Sequence, residues 1–491
     1  MTRSRSLSKV PVKAGNRPEG AAGGKREVGQ TEPFGGNMAE TSGSGPVSTR
    51  LERIAKLARE APQMVHTTLA HVIDVEFLRE AYRRTRRDGA SGIDGQTAEE
   101  YGQDLERNLV DLLERFKSGT YWAPPVQRAY VPKGDGGKRP IGIPTFEDKV
   151  LQRAVTMVLE AIYEQDFLDC SWGFRTGRSA HEALEVLWKG LTEMRGGWVL
   201  EADIQGFFDN LVPGHLRSFL DQRVRDGVLR RTIDKWLKAG VFEDGQIRAT
   251  ELGTPQGGVI SPMLANIYLH GVLDTWFEGV VKPRMKGKCL LVRYADDFVM
   301  VFELEQDARK VFEVLPKRLG RYGLTLHPEK TRLIPFQRPR NPYEPKGPGK
   351  TEPGTFDLLG FTHHWDRSRK GFWVVRRRTM ASRLTRAVKA ITVWCRKHRH
   401  AEVSEQHRAL SLKLKGHNAY YGVTGNWEAL ARFKDAVEET WRKWLNRRSQ
   451  KARMWWPKFK RLLKRYPLPK PIVVHSIYRS QRSRNPRSRM R

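Results

Sequence analysis

Residues 1–48 carry Gly, Ser, Pro and Arg but no periodic apolar positions. Such a stretch cannot bury enough surface to offset the entropy of ordering, so it reads as a disordered tail. From Thr49 to about Phe116 the apolar positions recur at helical spacing. Leu51, Ile54, Ala55 and Ala58 share one face, as do Val75, Leu78 and Tyr82. Val126 to Ile143 alternates like a pair of strands around Lys133-Gly134-Asp135-Gly136-Gly137. Glu147 to Ile162 returns to helical spacing, with Val150, Leu151, Ala154, Val155, Val158 and Leu159 inward. Ser179 stands where a helix N-cap belongs, with Glu182 as its capping-box partner. His181 between them reads as a capping or packing residue rather than a base. Trp198 to Asp203 alternates as a strand, with Trp198, Leu200 and Ala202 on one face and Val199, Glu201 and Asp203 on the other.

The loop Gly253 to Pro262 opens a helix through Leu264, Ile267 and Leu269. Leu290 to Phe302, LLVRYADDFVMVF, has two apolar runs and a four-residue break, Tyr294-Ala295-Asp296-Asp297, which predicts a β-hairpin. Asp307 to Tyr322 is helical, Gln337 to Thr355 is a Pro/Gly/basic loop, and Phe356 to Phe361 is a short strand. From Thr379 the chain is helical and basic, with the stripe Leu384, Val388, Ile391 and Trp394/Cys395. Tyr420, Tyr421, Trp427, Phe433, Trp441 and Trp444 read as core. Ser480 to Arg491 reads as a basic disordered tail.

The hairpin carries the first sign of chemistry. Asp296 and Asp297 repel each other unless a cation neutralises them, and Mg²⁺ prefers carboxylate oxygens. A pair of such ions can stabilise both the attacking and the leaving oxygen of a phosphoryl transfer. The plainer alternative is a solvated turn, where Asp is common. Asp203, an acid at the end of a buried strand, also needs a partner. Only a folded sheet could bring it to Asp296. Lys138 and Arg139 beside a Gly-rich turn could hold a triphosphate. Gly257 and Gly258 would let backbone approach a flat ligand, with Gln256 touching a base or sugar edge; otherwise this is an ordinary helix entry.

Charge narrows the partners. The 491 residues carry 88 Lys+Arg against 55 Asp+Glu, a formal charge of +33. That excess predicts a polyanion, by default nucleic acid. No apolar run is long enough to span a bilayer. Arg83, Arg84, Arg86 and Arg87 form a cluster suited to phosphate or simply to water. Trp455, Trp456 and Phe459 are interleaved with Lys458, Lys460, Arg461, Lys464 and Arg465, a pattern that suits nucleic-acid binding. The 3 cysteines, Cys170, Cys289 and Cys395, form no metal-binding pair and suggest a reducing compartment. No signal-peptide core is present, so a cytoplasmic, nucleoid- or RNP-associated protein is expected.

In order, the chain contains KRPIGIPTFEDKVLQRAV (Lys138 to Val155), GFRTGRSAHEAL (Gly173 to Leu184), EADIQGFFDN (Glu201 to Asn210), GTPQGGVISPMLANIYL (Gly253 to Leu269), YADD (Tyr294 to Asp297), GLTLHPEKT (Gly323 to Thr331) and LLGF (Leu358 to Phe361). This series resembles the reverse transcriptases of bacterial group II introns, which also act as splicing maturases. GHNAYYG (Gly416 to Gly422) is similar to the family's thumb, or maturase, domain. The resemblance runs from about Leu51 to His475.

It implies an α+β right-hand polymerase: a tail at 1–48, N-terminal helices and fingers at 49–195, a palm with an antiparallel sheet at 196–372, a helical thumb at 373–445, and a basic DNA-binding segment with its tail at 446–491. By motif, Asp203, Asp296 and Asp297 would bind two Mg²⁺ ions, Asp297 least directly. Phe208 would be the steric gate against a ribose 2′-OH, and Gln256 would line the nucleotide pocket. Arg139 and Lys138 would contact the triphosphate. Lys330 would assist the leaving pyrophosphate as a general acid. The implied partners are intron RNA, a target DNA primer and deoxynucleoside triphosphates. Many relatives end in a zinc-stabilised HNH-type endonuclease. No cysteine follows Cys395, so second-strand cutting is not expected of this chain. The alternatives are a reverse transcriptase of another lineage (retron, defence or diversity-generating) and a non-enzymatic RNA-splicing cofactor.

Overall fold

The computed structural model describes residues 45–132, 137–243, 246–248, 257–339, 354–449, 451 and 453–476. The expected tails, most of the turn 133–137, Gln256 and most of the loop 337–355 lie outside these residues. The first helix, Pro46–Glu60, begins before the expected boundary, because proline suits the first helical turn.

The strands are β1 (Val126–Pro132), β2 (Lys138–Ile143), β3 (Trp198–Ala202), β4 (Val241–Glu243), β5 (Gln246–Arg248), β6 (Cys289–Tyr294), β7 (Asp297–Phe302), β8 (Arg332–Pro335), β9 (Phe356–Leu358), β10 (Phe361–Arg367) and β11 (Trp373–Thr379). They form three sheets, ordered β2-β1-β4-β5, β6-β7-β3-β8 and β11-β10-β9. The second, central sheet is antiparallel, and β3 is held between β7 and β8.

Alternation along its inner strands explains why both faces are covered. Leu200, Ala202, Phe298, Met300 and Phe302 join the large core under the N-terminal helices. Val199, Val299 and Val301 face a second core with Leu187, Leu191 and Phe336. The helix Phe146–Tyr163 buries all six of its expected inward residues. The helix Ala180–Glu193 starts at the Ser179/Glu182 capping box. His181 is indeed a packing residue: its Nε2 lies 2.8 Å from the Tyr420 carbonyl and its ring stacks on His475. Burial pushes its pKa down to about 4.

The C-terminal helices Ala381–Lys397, Val403–Tyr421 and Trp427–Leu445 enclose their own core of Ile391, Cys395, Leu410, Phe433 and Trp441. Two aromatic expectations fail here. Trp427 is exposed, because it sits at the first position of its helix, turned away from the bundle. Phe459 is fully buried against Trp441 while Trp455 and Trp456 stay exposed, as the amphipathic face of the helix Trp456–Arg465 requires. The Arg83–Arg87 cluster lies at the surface among local partners. Arg83 and Arg84 pair with Glu80, Arg86 with Asp88, and Arg87 lies over the Tyr82 ring.

Candidate active site

β3 delivers Asp203 as the first residue beyond its end. The segment 323–331 crosses beside it. Gln205 N–H donates to the Thr325 carbonyl and His327 N–H to the Asp203 carbonyl, each at 2.8 Å. That crossing brings Lys330 Nζ to Asp203 Oδ2 at 2.7 Å.

β6 and β7 close at the pair Tyr294↔Asp297. The expected four-residue break is therefore a two-residue turn, Ala295-Asp296, and Asp297 is already a strand residue. Ala295 has φ +56°. The left-handed region costs a non-glycine residue about 1–2 kcal/mol. What holds it there is Arg293, a fully buried guanidinium beneath the turn. Its Nη1 donates to the Ala295 carbonyl and to Asn266 Oδ1, both at 3.0 Å. Nε and Nη2 donate to Asp274 at 2.7 and 2.5 Å, and Nη2 also to Ser171 Oγ at 2.7 Å. All five guanidinium N–H groups thus have acceptors. Asp274 arrives on the π-helical turn His270–Asp274 that continues the helix Ser261–Leu269.

Gly173 presses on the same turn from the other side. A Cβ there would lie 2.4 Å from the Ala295 nitrogen, so only glycine fits. Its carbonyl accepts from Asn266 Nδ2 at 2.8 Å. The sequence reading passed over Arg293, Asp274, Asn266 and Ser171. A signal was present: an arginine inside the apolar strand LLVRY must be paired if it is buried.

Electrostatics joins the three acids. Withdrawal from water raises the Asp296 carboxyl; Asp203 adds to this, while Arg139 and Arg293 oppose it. Asp297 keeps an exposed face to solvent, but the protein around it displaces much of its water. That loss, with the Asp296 and Asp203 charges, pushes its pKa up to about 7 against the pull of Arg383 and Arg139. Arg139, exposed on β2, therefore acts on the same cluster as the carboxylates. Arg383, in the first turn of the helix Ala381–Lys397, joins it from the C-terminal side, a contribution the sequence reading missed. Lys138 Nζ sits 5.9 Å from the centre of the Tyr130 ring. Phe208 is half-buried, edge-on to Phe207 at 5.2 Å between centroids. Gln256 lies outside the described residues. Gly257, at φ +123°, makes its close approach to the β2 backbone, where a Cβ would meet the Gly142 carbonyl at 2.5 Å. That approach and the positive φ alone require glycine at this position.

Among the described residues no three His, Cys, Asp or Glu side chains form a ready-made metal cage. The donor chemistry nonetheless fits a hard divalent cation, since Asp203, Asp296 and Asp297 offer oxygens alone, and burial leaves Asp296 and Asp297 short of countercharge.

Residues 131–363 match the family model described as "Reverse transcriptase (RNA-dependent DNA polymerase)". The chain is 40% identical over 232 residues to "Group II intron-encoded protein LtrA" of Lactococcus lactis subsp. cremoris, covering 46% of this chain and 38% of that protein. It is 32% identical over 327 residues to "Protein YkfC" of Escherichia coli (strain K12), covering 58% of this chain and 84% of that protein. A third relative, "Nuclear intron maturase 2, mitochondrial" of Arabidopsis thaliana, is 29% identical over 177 residues, covering 28% of this chain and 24% of that protein. The chain thus spans well under half the length of the first of these relatives. With its acids at the ends of β3 and the β6–β7 hairpin, and with most of the Escherichia coli protein matched along its length, the chain belongs to the reverse transcriptase (RNA-dependent DNA polymerase) family, among its group II intron-encoded members.

Proposed function

We propose that the protein is an RNA-directed DNA polymerase encoded by a group II intron, which copies intron RNA into DNA and binds that RNA to assist splicing. The observation that carries this reading is the electrostatic coupling of Asp203, Asp296 and Asp297 at one end of the central sheet, with Arg139 beside them. On this reading the central sheet is a palm, the β1–β2 hairpin and the N-terminal helices are fingers, and the C-terminal helices are a thumb.

The three carboxylates would hold divalent cations, for which Mg²⁺ is the natural choice. Bound there, such ions would ease ionisation of the attacking 3′-hydroxyl and stabilise the negative charge of the leaving pyrophosphate. The chain's own residues do the rest. Arg139 draws the triphosphate toward the carboxylates. Phe208 closes the space beside the sugar, so a deoxyribose fits and a 2′-hydroxyl collides. The primer 3′-hydroxyl gives its proton to solvent water as its oxygen bonds to the α-phosphorus and the bond to the α–β bridging oxygen breaks. Lys330 Nζ holds a proton that the departing pyrophosphate oxygen can take, once substrate has displaced it from Asp203. Arg293 and Gly173 keep the Ala295-Asp296 turn in place throughout.

The test is primer extension on an RNA template by the purified protein and by Asp296→Asn, with Mg²⁺ or with chelator. Extension should need Mg²⁺ and fall on the order of 10²–10³-fold in the variant, the scale of losing one electrostatic stabiliser of a transition state. Near-wild-type extension by Asp296→Asn would refute the assignment.

A further inference from the structure

A cleft of about 560 Å³ opens at the end of the central sheet remote from the acids. Gly197 and Glu303, which line it, adjoin the Trp198 end of β3 and the Phe302 end of β7. Asp203 and Asp297 lie at the opposite ends of the same strands, roughly 15 Å away at the rise of a strand. The cleft's backbone is tied down. Arg338 N–H donates to the Arg195 carbonyl at 3.0 Å, and Phe336 N–H to the Gly197 carbonyl at 2.8 Å. The β10–β11 turn is closed by Ser368 N–H to the Phe372 carbonyl at 2.8 Å.

The side chains on this rigid frame are left open. Arg195, Arg338, Arg367 and Lys370 face a single carboxylate, Glu303. Glu303 Oε2 already accepts from Lys288 N–H at 3.0 Å. Arg195, Arg338 and Lys370 form no ion pair among the described residues, and all are exposed. Phe372, the last residue of the β10–β11 turn, is 62% exposed, an unusual place for a phenyl ring. Trp373 also lines the cleft, and its indole N–H is buried without a hydrogen-bond partner.

Uncompensated cations call for a polyanion. They come from three separate turns, a spread that suits successive phosphates rather than one. The volume admits roughly one nucleotide unit, within the ~300–1,000 Å³ of ligand pockets. An exposed aromatic ring among cations is the arrangement on which an unpaired base stacks. We infer that this cleft binds a single-stranded RNA segment, with its phosphates on Arg195, Arg338, Arg367 and Lys370 and a base on Phe372. The inference rests on the proposal that the protein works on RNA. It adds a second anchoring site, separate from the one where nucleotides are joined.

The test compares the full chain with Phe372→Ala and with the pair Arg338→Glu, Lys370→Glu. These residues are exposed, so thermal melting should not change. Binding of a labelled unstructured single-stranded RNA, the same sequence as DNA, and the intron RNA is titrated against salt. Primer extension on a short template–primer is measured alongside. Both variants should bind RNA about tenfold more weakly, and the charge-reversed pair should lower the salt slope by about one for each lost phosphate contact, while extension is unchanged. A matching loss for DNA would make the site one for either single strand; loss for RNA alone would assign it to RNA. Unchanged RNA affinity and slope in both variants, with extension intact, would overturn the cleft proposal and leave the polymerase reading standing. A wild-type protein that neither extends nor binds RNA would overturn both.

Discussion

Arg293 Nη1 donates to the Ala295 carbonyl at 3.0 Å, so a fully buried cation fixes the left-handed residue on which the Asp296 carboxylate is hung. The turn thus does not rely on its own sequence for its shape. It relies on a guanidinium whose remaining donors are taken by Asp274 and Asn266, from one helical segment, and by Ser171, far away in the chain.

This separates stability from function. Arg293→Met strands the Asp274 charge in the core and should cost about 3–5 kcal/mol, read by denaturant unfolding. Adding Asp274→Leu removes the stranded charge and should recover most of that loss. It should not recover primer extension, because nothing then holds the Ala295 carbonyl. If extension returned together with stability, Arg293 would be structural only.

Phe208 is half-buried and edge-on to Phe207, so trimming it should leave the fold in place. Phe208→Ala should raise ribonucleotide over deoxyribonucleotide use by roughly tenfold or more, since the barrier proposed is bulk alone and a hydrophobic wall of this size is worth ~1–3 kcal/mol. Competition between the two triphosphates in one extension reaction measures it. An unchanged ratio would make Phe208 a core residue.

Much of this was legible in the pattern, and the exceptions share a cause. The alternation of Trp198 to Asp203 and the spacing of Glu147 to Ile162 gave β3 and its covering helix, because each buries a regular face. The capping box at Ser179 was local and therefore readable. The YADD turn was read as a loop of four because two adjacent acids look like solvent-facing residues. Its true length depends on Gly173, distant in sequence, and on Arg293, adjacent in sequence but held by Asp274, Asn266 and Ser171, which only the fold assembles. The same holds for Arg139 and Arg383: their charge was visible, but only the fold aims it at Asp297. At the Arg83–Arg87 cluster the acids that pair with the arginines, Glu80 and Asp88, stand close by in sequence and could have been read there.

His363 gives a pH expectation outside the site. It is fully buried on β10, stacked on Phe356 at 4.6 Å, and burial pushes its pKa down to about 3. The folded protein therefore keeps it neutral, while the unfolded chain protonates it below about 6.5. Its contribution is complete above that value and is lost as pH falls toward 3, at about 1.4 kcal/mol per pH unit. His363→Phe removes the titrating group. The stability difference between pH 7 and pH 5 should shrink in the variant, whatever the ring swap costs at neutral pH. Unfolding curves at the two pH values decide it; an unchanged difference would place the acid sensitivity elsewhere.

The last expectation concerns the two proposed activities. DNA synthesis needs the carboxylates at Asp203, Asp296 and Asp297. Splicing help needs only that folded RNA be held, a matter of phosphate contacts and shape. Deleting the chain from Thr379 onward would be a poor test. Leu184 and Phe361 share a buried cluster with Val423, and Thr379 N–H donates to Asn426 Oδ1 at 2.9 Å, so the cut would open the body of the protein. Point changes are cleaner. Asp296→Asn with Asp297→Asn removes two repelling carboxylates and should make no DNA, yet should promote splicing as the wild type does. Arg386→Glu with Lys389→Glu reverses two exposed charges on the helix Ala381–Lys397 and leaves its buried stripe intact. That pair should weaken intron-RNA binding about tenfold or more and reduce splicing with it. Splicing rate, RNA affinity and primer extension are measured on both double variants. If the Asn pair splices no faster than RNA alone while binding it normally, the carboxylates serve splicing too, and the division of labour fails.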